Sequence, residues 1–171
     1  LEKNQVEYDL GSENIIKDHG TVEDGKFVIG QAAYSMVVLP PMMETLNKPT
    51  FDLLQKFVEK GGKLICFSTP NRLDGAEDSK LSELLLAQSV ISVSTLIKEV
   101  IQEYFENKDC LFTFTGGDLY HQRREFADGE LLFLVNSSMN EVTRGTVLLK
   151  GKSVLKLDAM QGKIYEYPVD Q

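Results

Sequence analysis

The densest set of groups able to do chemistry runs from Thr69 to Asp78, TPNRLDGAED, where Asp74, Glu77 and Asp78 cluster behind Asn71 and Arg72. Cleaving a glycosidic bond takes two carboxylates, one as acid and one as base or nucleophile. The segment is predicted to be a polar loop leaving the carboxyl end of a parallel strand, where open α/β sheets usually place ligands. Asn71, Arg72, Asp74 and Asp78 are therefore the candidate binding residues, set against the plainer reading that such clusters are solvated loop. Glu99 and Glu103 stand four apart on a predicted helix, on its solvated face. No residue is assigned a catalytic role.

Other chemistries fit less well. A nucleophile elbow needs Gly-x-Ser/Cys-x-Gly at a tight strand-to-helix turn. The chain offers Cys66-Phe67-Ser68-Thr69-Pro70, without flanking glycines and with a proline that disfavours helical geometry at Thr69. The two histidines, His19 and His121, fall in different predicted regions, and neither Cys66 nor Cys110 has metal-motif spacing. No metal or other cofactor is expected. Gly61-Gly62 and Gly116-Gly117 read as a helix stop and a strand connection, not as phosphate loops. The chain has no tryptophan to stack on a sugar, and its six tyrosines mostly fall in strand patterns.

The elements that must carry these residues centre on Tyr34 to Pro70. Met36 to Leu39 is an apolar run of strand length. Thr50 to Lys60 follows as an amphipathic helix, with Thr50 as N-cap, and Phe51, Leu54, Phe57 and Val58 form its apolar stripe. Gly61-Gly62 stops it, and Leu64 to Phe67 is a second buried strand, so the whole is a predicted βαβ unit. Upstream, Ser12 caps a short helix ending at Gly20, and Asp24-Gly25 sits between apolar runs as a hairpin turn. Downstream, Ser79 caps a helix bearing Leu81, Leu84 and Leu85, and a further helix is expected over Thr95 to Glu106.

Beyond Asn107 to Asp109 the helical period gives way to short strands separated by turns. They are expected at Cys110 to Phe114, Asp118 to Phe126, Leu131 to Val135, Gly145 to Leu149, Val154 to Leu157 and Lys163 to Tyr167. Residues 1–108 are thus expected to be an α/β module and residues 109–171 an antiparallel β-sandwich segment, itself incomplete if strands continue beyond Gln171. Net charge is −6 over the first part and −2 over the second, so neither presents a basic patch, and nucleic acid and anionic membrane are not expected partners. No apolar run approaches the roughly 20 residues that span a bilayer. The chain opens at Leu1 with neither methionine nor signal peptide, and is expected to be a piece of a longer protein.

Several phrases, read together, resemble the non-catalytic C-terminal part of large bacterial glycosidases, most nearly the α-L-rhamnosidases of glycoside hydrolase family 106. They are Tyr8-Asp9, Asp24 to Gly30, Tyr34 with Val37-Val38-Leu39-Pro40, Thr50 to Phe67, His121 to Arg124, Asp128-Gly129, Leu131 to Asn136 and Asp158 to Gly162. β-Galactosidases with an amidotransferase-like domain share much the same arrangement. The resemblance implies a flavodoxin-like, class I amidotransferase-like parallel sheet, lacking its first strand, followed by the β-sandwich segment. It further implies an accessory or scaffold module whose parent is a glycoside hydrolase acting on plant or host polysaccharide. The catalytic carboxylates would lie in an upstream barrel of the same parent chain, which would be the module's partner alongside any further copy in a homo-oligomer. The parent would be exported, to the periplasm or beyond the cell. Two alternatives stay open: a stand-alone amidotransferase-like hydrolase using Ser68 or Cys66, and a carbohydrate-binding module using the β portion.

Overall fold

The computed structural model describes residues 1, 4–95, 98–105 and 110–168. The chain divides into two compact units, one of Asp9–Ile97 and one of Leu1–Tyr8 together with Lys98–Gln171. The expected change at Asn107 to Asp109, and with it the 108/109 boundary, lies outside the described residues. The opening residues, placed by sequence with the α/β part, group with the strand-rich unit.

The Asp9–Ile97 unit is mixed α/β. Helix α1 (Glu13–His19) leads into β1 (Gly20–Glu23) and β2 (Lys26–Ile29), with β3 (Ala32–Tyr34) added antiparallel to β2. Asp24 and Gly25, at φ 48° and 73°, supply the left-handed pair that a tight hairpin demands. Next come β4 (Met36–Leu39), β5 (Thr45–Leu46), α2 (Lys48–Glu59) and β6 (Lys63–Cys66). β4 and β6 run parallel with Val38 opposite Ile65, so the βαβ unit is present. The predicted polar loop after β6 is instead a hairpin, β7 (Arg72–Leu73) and β8 (Ala76–Glu77), with β7 also parallel to β5. After α3 (Ser79–Leu85), β9 (Val90–Ser92) pairs parallel with β6, giving the order β4-β6-β9.

Two expected caps are corrected. Helix α2 starts at Lys48 with Asn47 as N-cap, not at Thr50. Pro49 causes no break, because a first-turn residue has no intrahelical use for an N–H. Asp78 rather than Ser79 caps α3, and Ser12 caps α1 in position only, its side chain making no cap bond. The end of α2 follows expectation. Gly61, at φ 82°, donates its N–H to the Val58 carbonyl, and Gly62 donates to that of Phe57, a Schellman closure.

The core forms where the α2 stripe meets the sheets. Phe51, Leu54, Phe57 and Val58 are all buried, and Phe57 is fully so at 0% exposure. Its ring meets Phe27 of β2 edge to face, centroids 5.7 Å apart. On β6, Leu64, Ile65 and Cys66 are buried in succession, as a central parallel strand requires.

Among its described residues the other unit holds six strands: β10 (Cys110–Thr115), β11 (Leu119–Phe126), β12 (Gly129–Asn136), β13 (Arg144–Leu149), β14 (Val154–Asp158) and β15 (Lys163–Tyr167). They form three two-stranded antiparallel ladders, β10 with β13, β11 with β12, and β14 with β15. Of the helix expected over Thr95 to Glu106, Lys98–Val100 is α-helical (α4) and Ile101–Phe105 continues as a π-helical turn. Leu96, Ile97 and Glu106 lie outside the described residues. Among the described residues, Cys110 is the only buried apolar residue of this unit. Cys66 and Cys110 are both free thiols.

Candidate functional site

The hairpin that takes the place of the expected loop sets Asn71 beside Asp78, whose N–H donates to the Asn71 carbonyl at 3.1 Å, and carries Asp74 away at its tip. The Asn71 and Arg72 N–H groups both donate to the Glu44 carbonyl (3.2 and 3.3 Å), and both residues are exposed. Asp74 sits at the tip at φ 50°, beside Gly75 at φ 82°. Its Oδ1 accepts the N–H of Lys48, the first residue of α2, at 3.0 Å. Glu13 Oε1 accepts the adjacent Asn47 N–H at 2.8 Å. Asn47 makes no side-chain cap of its own, so two carboxylates from elsewhere in the chain satisfy N–H groups at the start of the helix, where its dipole favours negative charge. Asp78 Oδ1 accepts the Lys80 N–H at 2.8 Å and so opens α3. Asp74 and Asp78 thus each serve the start of a different helix.

At the carboxyl end of β6, neither Ser68 nor Cys66 is set up as an activated nucleophile. Ser68 donates its hydroxyl to the Pro40 carbonyl at 2.8 Å, a partner that cannot take its proton. Cys66 is buried, and burial pushes its thiol up to about 11, away from the thiolate needed for attack. Tyr34, on β3, donates to Asp9 Oδ2 at 2.7 Å; burial, then this carboxylate, raises its phenol to about 12. That pair joins two of the phrases behind the resemblance and gives them a structural use.

The strand-rich unit gathers a charged cluster that spacing alone did not single out. On β11, His121, Arg123 and Glu125 alternate and share a face, with Glu130 of β12 directly opposite Glu125. Facing like charges repel. Arg123 bridges them, its Nη1 2.7 Å from Glu125 and 3.2 Å from Glu130. The same guanidinium grips Glu7 in fork geometry, Nε to Oε1 at 2.7 Å and Nη2 to Oε2 at 3.0 Å. The hydrogen bond from Arg123 holds the Glu7 carboxyl below its ordinary value, while Glu7 raises Arg123 further. His121 packs its ring on Phe112 of β10 at 4.5 Å. The alternation of HQRRE was visible in sequence, but Glu7 lies 116 residues away and gives no local signal.

No family model, curated protein or solved structure matches this chain. Among the described residues no group of three or more His, Cys, Asp or Glu side chains is placed to hold a metal. The turns have local work as well. Asn136 Oδ1 accepts the N–H groups of Asp118 and Ser138, both at 3.0 Å, and its Nδ2 donates to the Glu141 carbonyl. Asp158 Oδ1 accepts from Met160 and Gln161, also at 3.0 Å, while Gly162 donates to the Asp158 carbonyl, closing the Asp-x-x-x-Gly turn.

Proposed function

We propose that this chain is a non-catalytic accessory or scaffold module of a glycoside hydrolase of the α-L-rhamnosidase kind, acting on plant or host polysaccharide. Its parallel sheet is proposed as flavodoxin-like, class I amidotransferase-like, and its ladders as part of an antiparallel β-sandwich. The observation that supports the reading best is the use of Asp74 and Asp78 as helix caps, beside a Ser68 bonded to a carbonyl. Asp74, Asp78 and Ser68, three groups that could have done chemistry, are engaged in holding the fold. The resemblance set out above supplies the enzyme class, the barrel partner on the same parent chain, a homo-oligomeric partner and export. Incubating the purified chain with aryl α-L-rhamnoside and aryl β-galactoside should give no turnover, while the parent enzyme cleaves one of them. Turnover by the chain that vanishes in Asp74→Asn or Asp78→Asn would overturn the reading.

One observation favours a second reading, a carbohydrate-binding module. Tyr120, Phe126 and Phe133 share one face of the β11–β12 hairpin and are 42%, 59% and 61% exposed. Open aromatic faces can stack on sugar rings as well as on apolar partners. Retardation in polysaccharide-containing gels that is lost in Tyr120→Ala with Phe133→Ala would favour it over the scaffold reading.

A further inference from the structure

The opposite, covered face of β11 holds an imidazole whose two nitrogens have unlike surroundings. The His121 side chain is only 5% exposed. Gln5 donates its Nε2 to the Leu119 carbonyl at 2.8 Å, which turns its Oε1 toward His121 Nδ1, 2.7 Å away. An amide oxygen only accepts, so Nδ1 carries a proton in this arrangement. Nε2 has no hydrogen-bond partner, and the nearest carboxylate oxygen, Glu7 Oε1, is 3.4 Å from it. A neutral ring would aim a lone pair at that carboxylate, whereas a protonated ring would aim an N–H.

We propose that His121 is a proton-operated latch for the N-terminal segment, holding Gln5 through Nδ1 at any pH and adding a bond from Nε2 to Glu7 when the ring takes a second proton. Among the described residues, the charged and titratable groups of this face are Glu7 from the segment, Arg123 and Glu125 on β11, Glu130 on β12 and the Cys110 thiol on β10. One guanidinium answers three carboxylates there, so a second positive charge is electrostatically welcome. The direction follows from the partners. The protonated ring gains a bond that the neutral ring lacks, so the hold tightens when the ring takes its second proton. It slackens again only once Glu7 is protonated, below its ordinary range because Arg123 pairs with it.

The test is nitrogen-15 NMR on the full chain, which has two imidazoles, with His19→Gln to assign them. At pH about 8 His121 should be the Nδ1–H tautomer. Between pH about 8 and about 5.5, amide exchange of residues 5–8, corrected for its intrinsic rate, should slow about tenfold, in keeping with a charge-assisted bond. Glu7→Gln should keep the Nδ1–H tautomer and lose the pH-dependent slowing. An Nε2–H tautomer at high pH, or corrected exchange that ignores pH, would overturn the latch. Both are read on the unaltered chain, so neither result requires the variant to fold.

Discussion

A carboxylate lying against the bare N–H groups of a helix start is held there by hydrogen bonds and by the helix dipole, and it stabilises whether or not a ligand exists. Asp74 does this for α2 from the tip of a hairpin that joins the chain far downstream of the helix. Asp74→Ala should therefore lower stability by about 1 kcal/mol, the usual worth of a cap. Urea denaturation reads it, and an unchanged midpoint would return Asp74 to the pool of free site residues. Arg123 carries more, because removing it strands Glu7 and leaves Glu125 facing Glu130. Its side chain is 12% exposed, so Arg123→Ala should cost roughly 2–3 kcal/mol, below the range for a fully buried pair because Glu125 is largely solvated. Glu7 also gives a pH signature. Its folded pKa is depressed from 4.5, so its stabilisation is complete above about that pH and is lost as pH falls through the lower folded value. In Glu7→Gln that part of the acid sensitivity should disappear from stability measured between pH about 5 and about 3.

At the scale of elements, α2 and the turn that ends it decide the first unit. Phe57 is fully buried against Phe27, and a Cβ on Gly62 would run into the Phe57 ring. Phe57→Ala should cost roughly 3–5 kcal/mol. Gly62→Ala should also destabilise, through that ring and not through backbone strain, since Gly61 alone holds the left-handed angle there. A Phe57→Ala chain melting within a degree or two of the parent would contradict this packing. These parts were legible in sequence because their causes are local: the apolar stripe of α2, the paired runs of β4 and β6, and the Asp-Gly turn after β1. β5, β7, β8 and β9 have two or three residues each, too few to show alternation. The Asp74-Gly75 turn carried the same signal as Asp24-Gly25, but Arg72-Leu73 and Ala76-Glu77 do not look like strands on their own. The uses of Asp74 and Glu7 could not be read from spacing, since each meets its partner only through the fold.

Across the molecule, burial is unequal. The buried apolar residues, Cys110 apart, lie in the Asp9–Ile97 unit, among those described. The strands of the other unit have the alternation of sheet proteins, yet Leu155, Leu157, Ile164 and Tyr167 of the β14–β15 ladder are each more than half exposed. A two-stranded ladder on its own is at best marginally stable in water, because few of its bonds are shielded and little apolar area is removed. Amides of β14 and β15 should therefore exchange through local opening, while those of β6 wait for cooperative unfolding of the core. Native-state hydrogen exchange on the isolated chain should find protection at Ile65 at least tenfold above that at Leu157 and Ile164. Equal protection would mean that the faces of β14 and β15 are covered in solution, by self-association or by closer packing within the unit. Exchange repeated over a hundredfold range of protein concentration separates the two, because only self-association makes the protection depend on concentration.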